Sequence, residues 1–257
     1  MRHIVVSAAI LAGLALAAPA AFAQSRPELD AAIKDYLARN PQDVQRIVRD
    51  YLSKNPEVMQ EAIAEFVKRQ RAGGGQPDRS AAVKSNAETI FNSKRQVVLG
   101  NPKGDVTLVE FFDYNCGFCK RALNDKLELM KSDTKLRVVL KELPVLGSGS
   151  TEAAQVAVAV RMQDAGAKYL SFHQRLLGGR SANKATAMAA AREAGLDMDR
   201  IERDLSSEEV KETLEETRRL AGLLGINGTP SYVVGDQVVV GAVGQAALGD
   251  RIKALRK

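Results

Sequence analysis

The chain has 257 residues, enough for one or two domains, with a formal charge of +6, 5% aromatic residues and no tryptophan. That charge is mild for the length. The cations are also interleaved with acids, as in Glu212-Thr213-Leu214-Glu215-Glu216-Thr217-Arg218-Arg219, a solvated helix face that argues against a nucleic-acid partner.

The first 23 residues read as an export signal. Arg2 and His3 make a short basic start, Ile4 to Ala18 is an apolar run, and Ala21-Phe22-Ala23 supplies small residues for a cleavage predicted after Ala23. The run is short for an uncleaved anchor, which wants ~20 apolar residues, and no later segment is apolar enough to span a membrane. No cysteine lies near the cleavage point, which argues against a lipid-modified N-terminus. Removing the segment takes away one arginine and leaves +5, two cysteines and a single histidine, His173. Export to the periplasm puts the cysteines where disulfides persist.

Three apolar stripes follow at an offset of 15 residues. They are Leu29, Ala32, Ile33, Tyr36, Leu37; then Val44, Ile47, Val48, Tyr51, Leu52; then Met59, Ala62, Ile63, Phe66, Val67. Each has the i, i+3, i+4, i+7, i+8 spacing of one helical face. The joints are Asn40-Pro41 and Asn55-Pro56. Asn suits an N-cap and Pro the first helical position, so each helix is expected to restart there. A segment of this size buries too little surface to stand alone. It packs either on the main domain or on copies of itself, and the glycine-rich stretch Ala72 to Pro77 favours self-association. The division is therefore an export signal at 1–23, a helical arm at 24–72, a linker at 73–78 and a main domain at 79–257.

In the main domain Arg79 to Ser93 reads as helix and Gln96 to Leu99 as a short strand. Val106-Thr107-Leu108-Val109-Glu110-Phe111-Phe112 is nearly continuous apolar sequence, the pattern of a buried central strand. A helix opens at the cysteines and runs to about Met130, and Leu136 to Leu140 completes a βαβ unit. A helical block spans about 150–224, broken near Gly178-Gly179 and Gly195. Ser231–Val234 and Gln237–Val240 form a hairpin about Gly235-Asp236, and a last helix covers about Gln245 to Leu255. The fold class is α/β.

Cys116 and Cys119 carry the chemistry. They close too small a loop to staple a fold. At a strand-to-helix junction, Cys116 at the helix N-terminus meets free N–H groups and the helix dipole, which favour the nucleophilic thiolate. Cys119, one turn on, can attack a mixed disulfide on Cys116 and release the partner. Lys120 and Arg121 add positive charge. A closed zinc site needs four ligands, which one chain with only His173 to add does not supply, whereas two thiolates can hold Cu(I).

Two further residues stand out, each with two readings. Glu110 sits six residues before Cys116 in an apolar strand, on the same face as Phe112 and Tyr114. It is either a buried acid that takes the Cys119 proton or a sheet-edge carboxylate reaching water. Pro230 precedes a strand in Gly228-Thr229-Pro230-Ser231. It is either cis, exposing the Thr229 backbone to an extended substrate, or an ordinary trans residue at a strand start.

Taken together, Phe-Phe-Asp-Tyr-x-Cys-x-x-Cys-Lys, the inserted helices and the late Gly-Thr-Pro resemble the DsbA-like thioredoxin fold over about residues 80–257. The resemblance implies Cys116 as nucleophile, Cys119 as resolving cysteine, Glu110 as the buried acid and Pro230 as cis. It makes Thr229, Pro230, Gly117 and Phe118 the substrate-binding residues and Cys116–Cys119 a redox-active disulfide, with no cofactor or metal required. The arm's Asp-Tyr-Leu-x-x-Asn-Pro repeats resemble the oligomerising arm of the ScsC (suppressor of copper sensitivity) group, which implies a homo-oligomer, a trimer by analogy. Thr before the proline resembles the isomerases, and Gly-Phe between the cysteines lacks the histidine of the strong oxidase. The expectation is a disulfide isomerase or reductase acting on unfolded or misoxidised secreted proteins and kept reduced by a membrane thiol reductase. A dithiol oxidase and a Cu(I)-binding copper-tolerance protein are the alternatives.

Overall fold

The computed structural model describes residues 26–55, 57–58, 61 and 79–257. The export segment, the third stripe and the linker lie outside the described residues. The chain divides into two units at Gly73–Gly74.

In the first unit, α1 (Arg26–Arg39) and α2 (Pro41–Lys54) meet at Asn40, with Pro41 at the start of α2. Asn40 does not act as expected, because its side chain makes no cap bond to α2. Instead its Nδ2 donates to the Tyr36 carbonyl at 2.8 Å, and Asn55 Nδ2 does the same to Tyr51 at 2.7 Å. The carbonyls of a last helical turn lack intrahelical partners, and a carboxamide N–H satisfies one of them. The Asn40-Pro41 joint therefore closes α1 with Asn and opens α2 with Pro. Tyr36 Oη also donates to Asp43 Oδ2 at 2.8 Å, tying the two helices together. The first two stripes are largely exposed, with Ile47 at 60% and Tyr36 at 55%.

The second unit is built on a five-stranded sheet of order β1-β3-β2-β4-β5. Its strands are β1 (Val97–Gly100), β2 (Val106–Phe112), β3 (Leu136–Glu142), β4 (Ser231–Val234) and β5 (Gln237–Val240). Only β2 and β3 run parallel; the other pairs are antiparallel. Alternation along β2 explains its apolar sequence. Leu108 and Phe112 point into one core cluster, and Val109 and Phe111 into a second on the opposite face. A strand covered on both faces has no polar side to display.

The stretch read as one helix from Arg79 is two short ones, α3 (Ser80–Ser85) and α4 (Ala87–Phe91), divided at Asn86. Helix α5 (Gly117–Ser132) joins β2 to β3. The block between β3 and β4 is five helices: α6 (Ser148–Gln163), α7 (Ala167–Gly178), α8 (Lys184–Glu193), α9 (Met198–Asp204) and α10 (Glu208–Leu223). Asn183, Asp197 and Ser207 each accept from the first turn of the helix that follows, which fixes three of the joints. Helix α6 buries Ala153, Ala154 and the whole run Val156 to Val160, so it is covered nearly all round, packing on α8 and α10. Helix α11 (Gln245–Ala254) ends the fold. At the β4–β5 turn Gly235 has φ 61°, and a Cβ there would lie 2.8 Å from Leu255 Cδ2. No described helix is long and apolar enough to cross a membrane.

Candidate active site

The site forms where β2 hands over to α5. Cys116 is the N-cap of α5, with extended backbone, and its Sγ accepts from Cys119 N at 3.3 Å. Its own N–H donates to the Asp113 carbonyl at 3.0 Å. Both cysteines are free thiols. Cys116 is 5% exposed and Cys119 fully buried. Burial pushes the Cys119 thiol well above its usual range, and the Glu110 charge adds to that. The two thiols thus have different surroundings: one caps the helix with a small exposed edge, and the other stays protonated, fully buried beneath it.

The Thr229–Pro230 peptide bond is cis. The Thr229 carbonyl lies 3.1 Å from Cys116 Sγ and accepts from the thiol. Between the cysteines Gly117 is exposed, and a Cβ on it would meet nothing within 4 Å. Phe118 is 57% exposed, and the Arg121 guanidinium carbon sits 4.3 Å from its ring centroid. The structure therefore brings Gly117, Phe118, Thr229 and Pro230 around Cys116. Lys120 turns away from the thiols, its Nζ donating to the carbonyls of Gly179 at 2.6 Å and Arg180 at 3.0 Å.

Glu110 is fully buried on β2, paired with Leu140 of β3 and Tyr232 of β4, so it is not at a sheet edge. Its Oε2 accepts from Lys126 Nζ at 2.7 Å, while Oε1 is buried with no partner. Lys126 is itself only 2% exposed. Among the described residues, no group of three or more His, Cys, Asp or Glu side chains could hold a metal ion.

Residues 107–253 match the family described as DSBA-like thioredoxin domain, which is more than half of the chain. The chain belongs to that family. Residues 42–72 match the family described as Copper resistance protein ScsC N-terminal domain. The DsbA-like unit thus follows an ScsC-type N-terminal region and has the fold of thiol–disulfide oxidoreductases. Among solved structures, a thioredoxin-like oxidoreductase from Silicibacter pomeroyi DSS-3 is 44% identical, with a TM-score of 0.64 over 66% of this chain and 98% of that one. Proteus mirabilis ScsC in a transitional conformation is 27% identical, with a TM-score of 0.62 over 84% of this chain and 97% of that one. A periplasmic thioredoxin-like protein from Salmonella enterica serovar Typhimurium is 27% identical, with a TM-score of 0.59 over 65% and 94%. Over 141 residues, 54% of its length, the chain is also 28% identical to a protein of Salinispora arenicola named Na(+)/H(+) antiporter NhaA 1. It spans about a fifth of such curated relatives, 22% in that case.

Sequence reasoning missed several residues of this DsbA-like site. Asp113 is buried, and its carboxylate accepts four hydrogen bonds: from Asn115 N at 2.8 Å, Ser150 Oγ at 2.7 Å, Val145 N at 2.8 Å and Leu146 N at 3.0 Å. Asn115 in turn pins the turn to the helical block, exchanging bonds with Ala182 at 2.7 and 2.8 Å and donating to Ser150 Oγ at 3.0 Å. The signal for Lys126 was present in the sequence. Cys119, Ala122, Leu123, Lys126 and Leu129 share the buried face of α5, so the lysine occupies a core position.

Proposed function

We propose that this chain is a periplasmic protein disulfide isomerase or reductase that works by thiol–disulfide exchange at Cys116 and Cys119. The observation that carries the reading is the pairing of a helix-capping Cys116 thiol, 3.1 Å from the Thr229 carbonyl, with a sealed Cys119 beneath it. In the first step the Cys116 thiolate attacks one sulfur of a misplaced disulfide, forming a mixed disulfide and releasing the other sulfur as a thiolate. In isomerisation the freed substrate thiolate attacks a different substrate disulfide, and the thiolate this releases attacks the mixed disulfide, forming a new substrate S–S bond and returning Cys116 as a thiolate. In reduction Cys119 attacks Cys116 instead, leaving a Cys116–Cys119 disulfide and a reduced substrate.

Exposed Phe118, with the open space at Gly117, suits apolar stretches of unfolded or misoxidised secreted proteins. The exposed stripes of α1 and α2 support a homo-oligomer, a trimer by the ScsC resemblance. The export signal read at residues 1–23, with cleavage expected after Ala23, supports a periplasmic location, where a membrane thiol reductase would keep the pair reduced.

Refolding of scrambled ribonuclease tests the reading. The reduced protein is expected to restore ribonuclease activity, Cys116→Ala to abolish the restoration, and Cys119→Ala to accumulate a covalent mixed disulfide visible on a non-reducing gel. Full activity in Cys116→Ala would sink the proposal. A reduction potential close to thioredoxin's supports the reductive direction, and one close to DsbA's points to a dithiol oxidase instead.

A further inference from the structure

Beneath the cysteines lies a continuous buried chain of polar side chains drawn from four elements and a loop. Lys126 Nζ on α5 contacts Glu110 Oε2 on β2 at 2.7 Å and His173 Nε2 on α7 at 3.1 Å. His173 Nδ1 is 3.2 Å from Tyr114 Oη, Tyr114 Oη is 3.4 Å from Tyr169 Oη, and Tyr169 Oη donates to Glu142 Oε1 on β3 at 2.6 Å. All six side chains are 3% exposed or less.

The donor and acceptor inventory allows one consistent assignment. An ammonium has donors only, so His173 Nε2 accepts from Lys126. Burial and the Lys126 cation hold the ring neutral, pushing its protonation far below the usual range. Its proton therefore sits on Nδ1 and is donated to Tyr114. Tyr114 then donates to Tyr169, and Tyr169 to Glu142. One lysine cation thus serves two buried carboxyls, Glu110 directly and Glu142 through three rings. Glu110 Oε1 is left as an unpartnered acceptor.

We propose that His173 is a positioning residue for the resolving step, holding the Lys126 cation against Glu110 and joining that pair through Tyr114 and Tyr169 to Glu142. In that step the Cys119 thiol gives its proton to Glu110. Cys119 Sγ bonds to Cys116 Sγ, the Cys116–substrate S–S bond breaks, and its electron pair leaves on the substrate sulfur. Lys126 favours the thiolate of Cys119 and the carboxylate of Glu110 alike, and without the His173 acceptor a buried ammonium loses a hydrogen bond it needs in order to stay. The other charged or titratable groups that act on the chain are Cys119 on α5 and Tyr232 on β4, which feel the Glu110 charge, and Arg161 on α6 and Lys141 on the opposite face of the sheet, which act on Glu142; Asp125 and Cys116 act on Tyr232.

The inference rests on the exchange reading above, and Ellman's reagent separates the two. Release of thionitrobenzoate is expected in two phases, the first from Cys116 attack and the second from Cys119 resolving the mixed disulfide. In His173→Phe the second phase is expected to move to higher pH by about one unit and to slow roughly tenfold near neutral pH, with the first phase altered less than about twofold. His173→Gln is expected to restore it, because the carboxamide oxygen accepts from Lys126. A His173→Phe protein that only melts lower, with its second-phase pH profile unmoved, overturns the inference. A first phase that persists in Cys116→Ala overturns the exchange reading instead. Should the variants not fold, ¹⁵N-histidine spectra of the otherwise native chain carrying His3→Gln decide the matter. A ring fixed with Nδ1 protonated from pH 5 to pH 8 is expected, and a titrating ring or an Nε2-protonated one overturns the proposal.

Discussion

Asp113 touches no reacting atom, yet its carboxylate fixes the turn from which Cys116 is presented. Four donors converge on it, two from the backbone at Val145 and Leu146. An Asn at this position has one acceptor oxygen and turns an NH2 group toward two of those donors. Each buried donor left without a partner costs about 1–3 kcal/mol. Asp113→Asn is therefore expected to lower stability by about 2–4 kcal/mol in urea unfolding, and a loss under about 0.5 kcal/mol counts against this role. The sequence carried a hint of it. Asp two residues before Asn115 is the start of an Asx turn, in which the side chain accepts from the backbone two residues on. The partners from Val145, Leu146 and Ser150 were not legible, because they are brought in by a loop and helix more than 30 residues away. Cys116, Cys119 and Glu110 were readable because their types are conspicuous: a C-x-x-C pair at a strand end, and a lone carboxylate in an apolar strand. Lys126 was not singled out, although its spacing put it in the core.

Helix α7 shows the same effect over a whole element. Tyr169, Phe172, His173, Leu176 and Leu177 form its buried face, so His173 stands where an apolar residue would pack. The consequence for acid stability has a definite sign. The folded-state protonation of His173 is depressed, so below the unfolded value of about 6.5 the unfolded chain binds a proton that the folded chain refuses. This contribution is fully present above about pH 7 and is lost as pH falls below about 6.5, at up to about 1.4 kcal/mol per pH unit. Glu142 acts in the opposite sense. Burial raises its folded value despite the Tyr169 hydrogen bond, so its contribution is lost as pH rises above the ordinary carboxylate range. The difference between wild type and His173→Gln isolates the histidine. From pH 7 to pH 5 the wild type is expected to lose about 2 kcal/mol more than the variant in urea unfolding, and parallel pH profiles would contradict a neutral buried ring. Strands β2 and β3, the hairpin and α5 were legible because run length and turn residues agree with the burial they meet. The helical block was legible only as a block. Helix α6 is apolar nearly all round and so shows no single face, and its neighbours are delimited by caps at Asn183, Asp197 and Ser207 rather than by glycine alone.

At the scale of the molecule, the two units differ in how much of their apolar sequence they satisfy. The DsbA-like unit buries both faces of its sheet, with one core cluster on each side. The first unit leaves Leu29, Ile33, Tyr36 and Leu37 of α1 and Val44, Ile47, Val48 and Tyr51 of α2 exposed. Removing apolar surface from water is worth about 25 cal/mol per Å², so stripes of this kind are stabilised by covering one another. A second and third copy of the arm would supply matching stripes in the same repeat. Isomerisation gains from such an assembly, because a substrate released from one Cys116 meets another at high local concentration before it diffuses away. An oxidase, which needs one encounter per bond, gains little. Ile47→Glu with Val48→Glu places two charges on the stripe of α2 while leaving the DsbA-like unit untouched. Both positions are exposed in the single chain, so helix content by circular dichroism is expected to hold. Sedimentation of the wild type at micromolar concentration is expected to give an oligomer, and of the double variant a monomer. The Cys116 phase with Ellman's reagent should stay within about twofold, while isomerisation of scrambled ribonuclease falls about tenfold, in keeping with the gain expected of linked sites. A wild type that sediments as a monomer removes the basis for self-association. A monomeric variant that isomerises at the wild-type rate separates the arm from the chemistry and returns the choice between isomerase and oxidase to the reduction potential of the Cys116–Cys119 pair alone.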